Sequence, residues 1–103
     1  MANILAIMNK YSVTKLPSDI LSEVAENHKK ARKLHRYSQA ELAVRSGVSL
    51  GTIKRFENSG QISFESLLKL AYLLDSLPDF ESIFKNECDK LEIEKLFQSK
   101  NKK

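Results

Sequence analysis

The chain has three glycines in 103 residues, Gly47, Gly51 and Gly60, and all of them fall in one stretch, SQAELAVRSGVSLGTIKRFENSG, Ser38 to Gly60. Glycine adopts a positive φ without steric penalty, so it closes helices cheaply and allows another surface close to the backbone. Ser38-Gln39-Ala40-Glu41 has capping-box spacing: the Ser38 hydroxyl accepts the Glu41 amide, and the Glu41 carboxylate reaches back to the Ser38 amide. The short helix after this cap carries Ala40, Leu42 and Ala43 and is expected to stop near Arg45-Ser46, with Gly47 making the turn. Ser49 then caps a second helix, Leu50 to about Asn58. Ile53 and Phe56 point inward on it, while Leu50, Gly51, Lys54, Arg55 and Asn58 lie on the opposite face. Gly60 ends it. Two helices joined by a short glycine turn, the second presenting Lys and Arg outward, form a helix-turn-helix.

The rest of the chain reads as helix around this core. Residues 1–17 read as an arm that ends at Pro17. Ser18 or Asp19 caps a helix running to about His35, with Leu21, Val24, His28, Ala31 and His35 on one face and Lys29, Lys30, Arg32, Lys33 and Arg36 elsewhere on the surface. Ser63 caps "FESLLKLAYLLD", whose inward face is Leu67, Leu70, Ala71 and Leu74. Leu77-Pro78 breaks that helix, and Pro78 starts a last short one with Phe80, Ile83 and Phe84. Residues 90–97, "KLEIEKLF", suit a strand or a helix equally. The expected architecture is all-α: a compact bundle of about five helices, with the helix-turn-helix formed by helices 2 and 3. The expected domain spans residues 18–85, with a C-terminal segment, 86–103, that ends in a basic tail; the apolar residues between Phe80 and Phe97 are left over for a dimer or partner contact.

Charge and composition narrow the function. Residues 1–37 carry seven Lys/Arg against three acids, and residues 61–85 carry two against four. A nucleic-acid surface produces that asymmetry, and so does a solvated helix face. No apolar run approaches the roughly 18 residues a membrane span needs, and "ANILAIM" lacks the flanks of a signal peptide. Cys88 is the only cysteine, which excludes an internal disulfide and fits a cytoplasmic setting; it reads as a small residue near a helix surface. His28 and His35 lack partners at metal-ligand spacing and read as packing or surface residues. No phosphate-cradling glycine loop, metal cluster or nucleophile–base spacing is present, so neither an enzyme nor a cofactor is expected.

Ser38-Gln39, Glu41-Leu42-Ala43, Gly47-Val48-Ser49, Thr52-Ile53, Phe56-Glu57-Asn58 and Gly60 together resemble the phage-repressor-like helix-turn-helix regulators, the Xre or Cro type. The resemblance runs from about Ala31 to Leu74. It departs at Arg36, where the family usually has the glycine that closes the first helix, and at His28, which the family fills with an aliphatic residue. What the resemblance implies is a lambda-repressor-like fold and a regulator of transcription that binds double-stranded DNA, usually as a homodimer. It also implies base reading by Ser49, Leu50, Gly51, Thr52 and Arg55, and phosphate contact by Ser38, Gln39, Lys54 and Asn58. Plainer roles stand beside these: Gln39 as a first-turn residue, Arg55 as a solvated charge, Leu50 packed on a neighbouring subunit. The wider pattern "GQISFESLLKLAYLLDSLPDFESIF" with its lysine-rich tail also resembles antitoxins that partner HipA-like kinase toxins.

Overall fold

A computed structural model describes residues 15–101; most of the expected arm and the side chain of Cys88 lie outside the described part of the chain. Six helices occur among the described residues: α1 Pro17–Leu34, α2 Gln39–Ser46, α3 Leu50–Ser59, α4 Phe64–Leu73, α5 Pro78–Glu81 and α6 Lys85–Asn101. The described residues are therefore all-α, and the open segment 90–97 is helical, within α6.

Three serines start the three central helices. Ser38, Ser49 and Ser63 each stand in extended backbone and accept a backbone amide through the hydroxyl, from Glu41, Thr52 and Ser66 respectively. Each cap satisfies one of the amides a helix start leaves unpaired. At α2 only half of the expected box forms, because the Glu41 carboxylate turns to Arg45, 3.4 Å away one helical turn on. At α1 the cap differs from the expectation. Pro17 already occupies the first helical turn, where its fixed φ fits, so Ser18 and Asp19 lie inside the helix. There Asp19 accepts the Leu16 amide at 2.9 Å.

Helix ends use two devices. Gly47 (φ 78°) and Gly60 (φ 80°) close α2 and α3 in the left-handed region, their amides reaching the carbonyls of Ala43 and Phe56. α1 and α4 end without glycine. Arg36 (φ 62°) and Asp75 (φ 56°) take the left-handed position, and the next amides fold back: Tyr37 to the Arg32 carbonyl at 3.1 Å, Ser76 to the Ala71 carbonyl at 2.8 Å. This is the Schellman pattern with a costly residue at its pivot. α4 consequently ends at Leu73, before the expected break at Leu77-Pro78. Pro78 starts α5 as expected, but α5 ends at Glu81, so Ile83 and the left-handed Phe84 (φ 65°) lie in the turn after it. Nor is it the last helix, since α6 follows.

The core is formed by Ala25, Leu42, Val48, Ile53, Phe56, Leu70 and Leu74, with Val24, Ala31, Tyr37, Ala43, Ile62, Leu67 and Leu73 packed around it. α1 packs against α3, and α2 against both α3 and α4. The inward face of α1 matches the expected one at Val24, His28 and Ala31 and departs from it at the other positions. Ala25, His28 and Arg32 are buried, whereas Leu21 and His35 are exposed. Arg32 faces inward because it has a buried carboxylate to meet.

Candidate nucleic-acid interface

α3 has an anchored side and an open side. Its anchored side carries Ile53 and Phe56 in the core and, beside them, Glu57, whose side chain is only 3% exposed. A carboxylate in such a place must be paired to remain charged. Arg32 supplies the charge side-on, Nε donating to Oε2 at 2.9 Å and Nη2 to Oε1 at 3.0 Å, and Gln39 Nε2 donates to Oε1 at 2.9 Å. The Arg32 Nη1 donates to the Tyr37 carbonyl at 2.9 Å, which holds the turn after α1. Residues of α1, α2 and α3 thus converge on one carboxylate, fixing the angle at which α3 is presented.

His28 completes this group. Its Nδ1 lies 2.8 Å from Glu57 Oε2, a contact at ion-pair distance but without hydrogen-bond alignment, and its ring stands edge-on to Phe56. Burial is the main influence on His28 and pushes the imidazole below the ordinary 6.5; the Glu57 carboxylate acts the other way without overcoming it. For Glu57, burial alone would raise the carboxyl. The hydrogen bonds from Arg32 and Gln39 and the charges of Arg32 and His28 outweigh it, so the group sits below 4.5. At neutral pH the cluster is one guanidinium against one carboxylate, with a neutral imidazole alongside.

The open side of α3 brings most of the expected site residues together. Gly51, Lys54, Arg55 and Asn58 are exposed, with Leu50 and Thr52 half-buried at the margin. A methyl group added at Gly51 would meet nothing within 4 Å, so the backbone there is open to an approaching surface. Ser49 is occupied by its own cap: its hydroxyl accepts the Thr52 amide and donates to the Thr52 hydroxyl at 2.8 Å. Ser38, likewise a cap, and Gln39 stand at the start of α2. One N–H of the Gln39 amide is given to Glu57, which fixes the side chain and leaves the second for an outside acceptor. Arg55 is held rather than free: its Nη2 donates to Gln61 Oε1 at 2.6 Å. Gln61, which sequence reasoning passed over, borders with Thr52, Arg55, Ile62, Ser63 and Ser66 a polar recess of about 380 Å³ between α3 and the start of α4. Its position directly after Gly60 was the available signal.

Such an arrangement, a short capped helix at a fixed angle to a second helix with one polar, unencumbered face, is the geometry by which proteins place a helix in a DNA groove. The helix-turn-helix family profile matches residues 29–80, about half of the chain. The protein belongs to this family, the lambda-repressor-like helix-turn-helix DNA-binding regulators. No curated protein and no solved structure matches the chain at a significant level. Among the described residues, no helix is long and apolar enough to cross a membrane.

Proposed function

We propose that the chain is a sequence-specific repressor, homodimeric and cytoplasmic, that reads the major groove of double-stranded DNA with α3. The observation that carries this reading is the division of α3: Ile53 and Phe56 are buried in the core with Glu57 paired beside them, and the opposite face is exposed with an open glycine at its start. Arg55 is the main base reader, its guanidinium binding O6 and N7 of a guanine together, an interaction worth about 1–3 kcal/mol of discrimination. Leu50 contacts a thymine methyl group, Gly51 lets the helix backbone approach the bases, and Ser49 and Thr52 border the same edge. Ser38, Gln39, Lys54 and Asn58, with the amide end of α2, position the module on phosphates. With so few polar readers on the helix, DNA shape supplies part of the preference.

One module of this size binds weakly, and two on half-sites about 34–36 Å apart bind together. α6 supports the dimer, since Leu91, Ile93, Leu96 and Phe97 are all exposed on it. The reading is tested by binding to duplexes selected by the wild-type protein from a randomised library, across a salt series, for wild type and Arg55→Ala. Tight, salt-sensitive binding by the wild type with loss of preference at one base pair in the variant is expected. Equal binding of selected and random duplexes by the wild type would end it.

The same apolar residues of α6 favour a second reading, an antitoxin that binds and neutralises a HipA-like kinase toxin while repressing its own operon. A kinase reading frame beside the coding region, and co-purification of its product only when α6 is intact, separate this reading from the first.

A further inference from the structure

We propose that Gln61 determines specificity as a positioning residue, by holding the Arg55 guanidinium in the orientation that reads a base; this role rests on base reading by Arg55. Arg55 and Gln61 belong to a closed ring of hydrogen bonds. The Ser59 hydroxyl donates to the Arg55 carbonyl at 2.7 Å and accepts the Gln61 amide at 3.2 Å. The Gln61 side chain then returns to Arg55, its Oε1 accepting from Nη2 at 2.6 Å.

The ring stands on a fixed base. Gly60, immediately before Gln61, is pressed against α1 so closely that an added methyl group would lie 2.7 Å from the Leu21 carbonyl oxygen. Gln61 is exposed, so the bond to Arg55 is not a by-product of core packing. A free arginine side chain samples many rotamers and loses that freedom on binding, whereas a held one has lost it beforehand. The guanidinium has five N–H groups. One on Nη2 goes to Gln61, and those that remain include a pair for O6 and N7 of a guanine.

The test uses the full chain and duplexes selected by the wild-type protein from a randomised library. Gln61→Met keeps the length of the side chain and removes the acceptor. The expected result is a roughly two- to tenfold loss of preference at the base pair that Arg55→Ala also affects, with unchanged binding to random duplexes and an unchanged melting temperature. In the Arg55→Ala background, Gln61→Met is expected to change nothing further. Equal weakening on all sequences in both backgrounds would make Gln61 a phosphate contact and overturn the proposal. Unchanged preference in Gln61→Met would overturn it as well. If Arg55→Ala itself leaves every base preference intact, the base-reading role of Arg55 has failed and the positioning role falls with it, an outcome visible in the single variant alone.

Discussion

Glu57 keeps its charge in a nearly dry position only because Arg32 and Gln39 fill its acceptor sites, and that dependence makes single residues here consequential. Arg32→Met leaves a buried carboxylate without its counter-charge and is expected to cost about 3–5 kcal/mol in urea unfolding. The pH dependence arises from the two lowered pKa values. The folded state resists protonation of His28 more than the unfolded chain does, so the His28 contribution is fully present above 6.5 and is lost as pH falls through its folded pKa. Glu57 adds a second loss, beginning below 4.5. His35 has the opposite sign: the Ala31 carbonyl and then Asp75 raise it, so its contribution is present below 6.5 and disappears as pH rises through its folded pKa. His28→Leu is therefore expected to remove the first acid-induced loss, read as unfolding midpoints on either side of pH 6.5, and to leave the second. This cluster was poorly legible in the sequence. An apolar periodicity selects the stripe of Leu21, Val24, His28 and Ala31, which includes His28 but lies to one side of Ala25 and Arg32. Nothing local to Arg32 announces a partner on another helix.

Helix ends divide into those the sequence announces and those it conceals. Ser38, Ser49, Ser63, Gly47 and Gly60 were legible because capping is decided within four residues by the cap itself. Asp75 was not, since a helix that ends on a strained aspartate has no compositional mark, and Pro78 drew the expected boundary too late. The departure at Arg36 was legible as a departure, and its left-handed φ of 62° is the physical result. Arg36→Gly is expected to stabilise the protein by about 0.5–1 kcal/mol, the relief of the backbone penalty less the entropy glycine loses on folding. The two structural glycines should respond unequally. Gly47→Ala meets no neighbour within 4 Å and loses about 1 kcal/mol through φ alone, whereas Gly60→Ala also drives a methyl group into Leu21 and loses more than about 2 kcal/mol. Denaturant midpoints of the two variants, measured side by side, check the ranking.

At the scale of the molecule, α1 to α4 and their turns supply the core of the packed unit, and α6 carries exposed apolar side chains between Asp89 and Phe97. Removal of residues 85–103 is expected to leave the unfolding free energy of the unit within about 1 kcal/mol. If the proposed dimer forms through α6, the same truncation is expected to give a monomer in sedimentation and to weaken binding to paired half-sites more than to single ones. The fold class was legible because three capped, periodic segments in succession admit few arrangements. The helix or strand character of residues 90–97 was not, because that segment has no core to impose a period on it.

The convergence of three helices on the Glu57 carboxylate sets the anchored side of α3 apart from its exposed side. If α3 reads DNA as proposed, the exposed residues 51, 54 and 55 are expected to exchange as a cassette with little effect on the scaffold beneath them. On that reading, new DNA preferences are reachable by a few surface substitutions, each expected to be nearly neutral for folding, so a lineage built on this framework would change its target faster than its shape.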